Sequence, residues 1–217
     1  MKRSQAMSVL ARRLSETISV ATMRSIGAWY DAGGSAALHF DSSTCMGAAS
    51  ALGLGLALAQ PDRRVVVLDG DASLLMQLGA LAGIAEAAPA NFYHFVFVNR
   101  VYESHFDLPV PAAARLDFAA IALGTGYRRA WSINDVAALR EHLPAILAAR
   151  GPVLVALEIE PHSDEGGYRW LRRALGFWSA RNWRGLLEAI GRSLRFRSSR
   201  DQAARLRAVL APAKRDR

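Results

Sequence analysis

The sequence predicts an α/β domain built on a doubly wound, mostly parallel sheet with helices on both faces. Short apolar segments alternate along the chain with Ala-rich or amphipathic segments, which is typical of this architecture. Two of the apolar segments, 65–68 and 95–98, are continuous rather than alternating runs, as expected for central strands that are covered on both faces. The 217 residues suffice for one such domain and an appendage of a few dozen residues.

The predicted elements follow one another with short connections. Pro61 and Pro89 come just after the third and fourth helices, where proline is a common stop signal. The predicted strands are Ile18–Thr22, Ala37–Phe40, Arg64–Leu68, Phe92–Val98, Tyr127–Trp131 and Val153–Ile159. The predicted helices are Val9–Thr17, Met23–Tyr30, Met46–Gln60, Ser73–Ala87, Asp117–Gly124 and Asn134–Arg150.

The positive charge of the chain is concentrated at its C-terminal end. Residues 163–217 contain fourteen Lys and Arg against five Asp and Glu, whereas residues 1–162 are close to neutral. Gly166 and Gly167 mark a hinge soon after Pro161. We therefore predict two parts, an α/β domain over 1–162 and a basic helical C-terminal extension over 163–217.

The extension shows the pattern of one or two amphipathic basic helices. Its apolar residues recur at helical spacing with arginines among them. They are Leu171, Leu175, Trp178, Trp183, Leu186, Leu187, Ile190 and Leu194. Three interpretations remain open: docking on its own body or a partner protein, adsorption to an anionic membrane surface, and binding of nucleic acid or another polyanion.

The single cysteine, Cys45, excludes an intrachain disulfide and a structural metal site built from several thiolates. We expect Cys45 to be a small core residue. The basic N-terminus is not followed by the apolar run of a signal peptide, because Arg12, Arg13 and Glu16 interrupt it. No segment reads as a membrane-spanning helix, and a cytoplasmic location is expected.

The segment from Val65 to Met76 carries the clearest chemical signal. It is a buried strand that ends in Gly70-Asp71 and then enters a helix, and the carboxyl edge of a parallel sheet is where ligands bind. Gly70 lets a phosphate or metal approach the backbone, and Asp71 offers the hard oxygen ligand that Mg²⁺ prefers. Asn99 ends the next strand, so a metal-bridged diphosphate would fit this edge. An unrelated nucleotide- or phosphate-binding α/β protein is the alternative.

These residues resemble the magnesium motif of thiamine diphosphate enzymes, in which Gly-Asp-Gly is followed, a helix and a strand later, by Asn-Asn or Asp-Asn. The matching positions are 70–72 and 98–99. Over roughly residues 5–160 the chain is most similar to the β-subunit-type chains of phosphonopyruvate and sulfopyruvate decarboxylases. The stretches 46–59, 74–85 and 99–104 support this resemblance.

The resemblance implies a role for each matching residue. The magnesium ligands would be the Asp71 and Asn99 side chains and the Val101 carbonyl. The diphosphate would lie on Gly70 and on the amides of Ala72 and Ser73. Met46 would be the apolar wedge that bends the cofactor, and Thr44 would offer its carbonyl to the aminopyrimidine. His105 is a candidate for proton transfer, and a solvated loop histidine is its alternative.

The resemblance also implies thiamine diphosphate and Mg²⁺ as cofactors and a small 2-oxo acid as substrate. In this family a glutamate that protonates the aminopyrimidine lies in a separate pyrimidine-binding domain. A chain of this length has room for only one of the two domains. We therefore expect a separate α-type subunit, a hetero-oligomer and an active site at the interface. The alternatives are a carboligase of the same cofactor class and a catalytically lapsed scaffold subunit.

Several positions depart from the family pattern. Ala72 replaces the last Gly of Gly-Asp-Gly, Ala48 replaces a His, Arg100 replaces a Gly, and residues 105–108 replace Thr-Gly-Gly-Gln. Ala72 is a mild change if its φ is negative, and Arg100 could bind an anionic substrate group or form a surface ion pair. The departures predict a changed substrate or a loss of catalysis. The remaining histidines, which we interpret as structural or surface residues, are His39, His94, His142 and His162.

Overall fold

The computed structural model describes residues 1–43, 45–103 and 107–161, together with the single residues Gln202, Ala204 and Ala208. Thr44, His105 and the predicted helices of the extension lie outside the described residues, as does His162. The boundary near residue 162 and the basic helical extension therefore stay predictions. Gln202 is buried, and its Oε1 accepts a hydrogen bond from the backbone N–H of Asp41.

The core of the molecule is a six-stranded sheet in which every pair of neighbouring strands is parallel. Its strand order is β2-β1-β3-β4-β8-β7. The strands are β1 Ile18–Thr22, β2 His39–Ser42, β3 Val65–Gly70, β4 Phe92–Val98, β7 Arg129–Ile133 and β8 Val153–Glu158. A two-stranded antiparallel hairpin is added by β5 Val101–Tyr102 and β6 Leu108–Pro109. The predicted fold class of the body is confirmed.

Helices cover both faces of the sheet. They are α1 Arg3–Arg13, α2 Arg24–Asp31, α3 Ala49–Ala59, α4 Asp71–Met76, α5 Ala80–Ala87, α6 Phe118–Thr125 and α7 Val136–Ala148. One hydrophobic cluster joins α1, α2 and α7 to one face, and the other joins α3, α4, α5 and α6 to the opposite face. The seven residues of β4 are all buried, which confirms the prediction of a central strand.

Glycines account for two differences between the predicted and observed helices. The helix predicted over Met46–Gln60 starts only at Ala49, because Gly47 has φ +86° and cannot belong to a right-handed helix. The helix predicted over Ser73–Ala87 is two helices, α4 and α5. The break includes Gly79, a residue type that weakens helices.

Other boundaries also moved. The first helix covers Arg3–Arg13 instead of Val9–Thr17, and the Gln5 side chain accepts a hydrogen bond from the Lys2 backbone N–H at its start. Strands β2 and β7 each begin two residues later than predicted. The hairpin of β5 and β6 was not predicted, because strands of two residues carry no periodic signal. Cys45 is exposed, so its predicted place in the core was wrong; it lies in the loop before α3.

The strand order locates the ligand-binding edge. The chain runs outward from β1 to β2 and then crosses back to β3, which pairs with the other side of β1. Such a reversal opens a crevice at the carboxyl ends of the two central strands. Thr22 and Gly70 end these strands, and α2 and α4 begin next to them. Among the described residues, no helix is long and apolar enough to span a membrane.

Candidate functional site

Asp71 is the first residue of α4 and lies at the carboxyl end of β3, where only 2% of its surface is exposed. Its Oδ1 accepts the backbone N–H of Ala72 at 2.8 Å, and its Oδ2 accepts the backbone N–H of Arg100 at 2.7 Å. Burial raises the pKa of this carboxyl to about 6, although the two backbone hydrogen bonds act in the opposite direction. A bound cation would stabilise the charged form of this buried carboxylate.

Asn99 follows the neighbouring strand β4 and is also buried. The register pairs Gly70 with Phe97, so the ends of the two strands lie side by side. Asn99 Oδ1 accepts the backbone N–H of Val101 at 3.1 Å. Because Arg100 donates to Asp71, the turn after β4 is tied to the start of α4, and the structure brings Asp71 and Asn99 to one place.

Arg100 occupies a left-handed backbone conformation with φ +66°. This conformation suits the glycine that the family has here. The Arg100 guanidinium donates to both carboxylate oxygens of Glu158 at 2.9 Å and to the carbonyl of Ala113. Of the two roles considered for Arg100, the structure shows the ion pair, which is half-buried at the end of β8.

The loop that carries Met46 is held against α4. The backbone N–H of Gly47 donates to Ser73 Oγ at 2.9 Å. A Cβ at position 47 would lie only 2.8 Å from the Cβ of Gln77, so glycine is required by space as well as by φ. The half-buried Met46 therefore directly precedes a residue that is fixed against Ser73 and Gln77 of the α4 region.

Ala72 is inside α4 and is not among the residues with positive φ. The replacement of the last Gly of Gly-Asp-Gly by Ala72 is therefore a mild change, because this position does not need a positive φ. The N–H of Ala72 donates to the Asp71 carboxylate. Gly70 has open space where a Cβ would lie, with no atom of the described residues within 4 Å.

Glu103 is a site residue that sequence reasoning missed. It is buried; its Oε1 lies 2.9 Å from Arg3 Nη2, and its Oε2 lies 3.4 Å from Arg24 Nε. Burial opposes ionisation of Glu103. The hydrogen bond and charge of Arg3, a hydrogen bond from the Asn99 side chain and the charge of Arg24 nevertheless hold its pKa below the usual range. Its place in the stretch 99–104, which supports the family resemblance, was the available signal, but the predicted first helix did not include Arg3.

The donor atoms at this edge suit a hard cation. Within the described ranges, no group of three or more His, Cys, Asp and Glu side chains could hold a metal. A metal here would therefore depend on the Asp71 carboxylate, the Asn99 amide oxygen, a backbone carbonyl and the oxygens of its ligand. Mg²⁺ uses such mixed oxygen sets when it binds phosphates through one or two carboxylates. The residues present fit a magnesium diphosphate.

Two other buried polar clusters have structural roles. Ser19 Oγ lies 2.7 Å from His39 Nδ1, and His39 Nε2 lies 3.0 Å from Asp41 Oδ1. Ser19 is in the middle of β1 and fully buried, so this arrangement offers no accessible nucleophile. His94 Nε2 lies 3.3 Å from Asp69 Oδ2, and both side chains are inaccessible to solvent.

Removal of Asp71 should change how the stability of the metal-free chain depends on pH. Its pKa rises from 3.8 to about 6 on folding, so the folded state holds the proton more tightly. The stability from this group is fully present below pH 3.8 and is lost as the pH rises through about 6. Denaturant unfolding measures the effect. Between pH 4 and pH 7 the free energy of unfolding of wild type should fall by up to about 3 kcal/mol more than that of Asp71→Ala. Asp62 is exposed, and Asp62→Ala should show no such change. A difference in unfolding free energy between wild type and Asp71→Ala that is the same at pH 4 and pH 7 would contradict the expectation.

The sequence profile of the family described as "Thiamine pyrophosphate enzyme, C-terminal TPP binding domain" matches residues 20–157. Among curated proteins, phosphonopyruvate decarboxylase of Streptomyces viridochromogenes is 41% identical over 128 residues, which are 59% of this chain and 32% of that protein. Sulfopyruvate decarboxylase subunit beta of Methanothermobacter thermautotrophicus is 37% identical over 123 residues, 57% of this chain and 63% of that subunit.

A solved structure shares the fold. It is the X-ray structure of a protein from Mycobacterium smegmatis that is described as a thiamin diphosphate-dependent enzyme. The two superpose with a TM-score of 0.62 at 22% identity, over 74% of this chain and 32% of that one. The match to this chain spans about a third of the longer relatives and under two thirds of the beta subunit.

Proposed function

Because this chain belongs to the family of thiamine pyrophosphate enzymes through their C-terminal TPP binding domain, we propose that it is the diphosphate- and magnesium-binding subunit of a thiamine diphosphate-dependent 2-oxo acid decarboxylase. The observation that carries the proposal is the pairing of Asp71 and Asn99. Both are buried oxygen donors at the ends of adjacent parallel strands, tied together by the Arg100 N–H. The similarity to two kinds of decarboxylase supports the reaction type.

Each part of the site has a proposed task. Asp71, Asn99 and the Val101 carbonyl hold the metal, and Gly70, Ala72 and Ser73 face the diphosphate. Ser73 also anchors the loop of Met46 through the Gly47 N–H, which supports the proposed role of Met46 as the apolar wedge against the cofactor. The proposed roles of the Thr44 carbonyl and of His105 in proton transfer complete the set. When bound, thiamine diphosphate supplies the nucleophilic carbon and the electron sink for loss of carbon dioxide.

The proposal includes a second subunit. Some of the relatives are named as subunit beta of sulfopyruvate decarboxylase. The longer phosphonopyruvate decarboxylases extend well beyond the matched region, which leaves room for a pyrimidine-binding domain. We propose that a separate α-type chain supplies that domain and that the active site forms between the two chains.

The substrate is proposed to be a small 2-oxo acid. Arg100 Nη2 already donates to both oxygens of Glu158, and Nη1 donates to the Ala113 carbonyl, so Arg100 is not the group that receives an anionic substrate in this arrangement. Recognition of the acid then depends on the residues after Glu103, where the chain differs from the family pattern, and on the partner subunit. This supports a substrate other than phosphonopyruvate or sulfopyruvate.

The test is calorimetric titration of thiamine diphosphate into the full chain co-purified with its partner subunit, in the presence and absence of Mg²⁺. Saturable binding that requires Mg²⁺ is expected, followed by carbon dioxide release from a panel of 2-oxo acids. No binding, with the partner subunit firmly present, would favour the scaffold subunit. Binding of ADP in place of thiamine diphosphate would contradict the proposed cofactor.

A further inference from the structure

We propose that Glu103 is a positioning residue that orients the Asn99 side chain toward the metal, and that Arg3 of helix α1 holds Glu103 in place. The inference rests on the proposed function, since it gives Asn99 the role of metal ligand. It adds a requirement for α1, which lies before the residues 20–157 that match the family.

The Glu103 carboxylate is surrounded by donors from three elements. Arg3 on α1 donates to Oε1 at 2.9 Å, and Arg24 at the start of α2 lies 3.4 Å from Oε2. The Asn99 side chain donates a further hydrogen bond to the same carboxylate. Less than a tenth of the Arg3 and Glu103 side chains is exposed, so solvent does not compete for these contacts.

These contacts determine which way the Asn99 amide faces. Its Oδ1 accepts the N–H of Val101, and its NH₂ group donates to Glu103. The flipped amide would set NH₂ against the Val101 N–H and the oxygen against a carboxylate, and both contacts are repulsive. The hydrogen-bond network therefore selects the orientation in which the oxygen, with its second lone pair, is available as a ligand.

The charges at Glu103 also have to balance. Arg3 Nε is buried and has no hydrogen-bond partner among the described residues, so the Glu103 carboxylate is the main compensation for this guanidinium. Loss of the carboxylate would leave a buried charge uncompensated and the Asn99 amide free to turn. Residues that orient metal ligands in this way typically contribute about 10- to 100-fold to metal affinity.

The test measures Mg²⁺-dependent thiamine diphosphate affinity in the complex of the full chain with its partner, by calorimetry. Glu103→Ala should weaken binding about 10- to 100-fold. Glu103→Gln combined with Arg3→Met keeps an acceptor for Asn99 and removes the unpaired charge. Because it also lacks the Arg3 contact that holds position 103, this double variant should bind more tightly than Glu103→Ala but less tightly than wild type. A rescue of this kind distinguishes positioning from a general effect on stability.

Asp135→Ala is the matched control, since Asp135 caps α7 through the N–H groups of Ala137 and Ala138. It should lower the melting temperature without a change in affinity. If wild type binds, Asp71→Ala does not and Glu103→Ala binds like wild type, the positioning role is wrong while the proposed function stands. If the double variant binds no better than Glu103→Ala, the positioning role is likewise wrong. If wild type itself does not bind, both are wrong.

Discussion

Replacement of Asp71 by alanine is expected to abolish Mg²⁺-dependent binding of thiamine diphosphate. The side chain is buried, and its two oxygens accept the backbone N–H groups of Ala72 and Arg100, which fixes the carboxylate in the proposed metal site. Loss of one member of a buried charge pair costs about 3 kcal/mol or more, which corresponds to at least ~100-fold in affinity. Calorimetric titration of the complex at pH 7.5 measures the loss directly.

The control for this variant is Asp62→Ala. Asp62 is an exposed carboxylate in the loop between α3 and β3, at the amino end of β3. It should leave cofactor affinity unchanged. Wild-type affinity in Asp71→Ala would show that this carboxylate is not a metal ligand and would remove the central support of the proposed function.

The second large effect is expected for Gly47→Ala. The new Cβ would lie 2.8 Å from the Cβ of Gln77 and 3.3 Å from the backbone of Gln77 and Ser73, at φ +86°. Overpacking and left-handed strain together should lower the free energy of unfolding by about 2–4 kcal/mol. A shift of the loop that relieves this clash would move Met46 away from α4, so cofactor affinity should fall as well. Denaturant unfolding and calorimetry measure the two effects separately.

Gly55→Ala provides the comparison on the neighbouring helix. Gly55 lies within α3, and nothing in the part of the chain that the structure describes comes within 4 Å of a Cβ position there. Alanine should therefore stabilise the chain there, by up to about 1 kcal/mol. Equal stability changes in the two variants would contradict the view that the loop before α3 is fixed against α4.

The fold could be predicted because its signals are local. Continuous apolar runs such as those of β3 and β4 have few alternatives in a chain of this composition, and two strands were predicted to the residue. The errors lie where tertiary contacts decide. The helix predicted from Met46 starts only after Gly47, whose backbone packs against Gln77. The break between α4 and α5 lies near the same contact. Neither effect can be read from periodicity.

The part of the site that lies at the ends of strands could be predicted from the sequence. Asp71 and Asn99 emerge together because parallel neighbours share a carboxyl edge. Glu103 was not predictable, since its partner Arg3 is a hundred residues away in sequence and outside the helix that was expected. Its role depends on an ion pair between distant elements, and a single sequence carries no record of such a contact.

Arg100 has a consequence for how related sequences can drift. Its left-handed backbone is one that glycine adopts freely, whereas its side chain locks onto Glu158 and the Ala113 carbonyl. The strain of the Arg100 backbone is therefore coupled to the attraction between the Arg100 side chain and Glu158. Glycine at this position would relieve the backbone and leave Glu158 without its partner, so the two positions should change together in descendants of this chain. Tolerance of substitutions here is then a property of the pair, and a single-site scan would misjudge it.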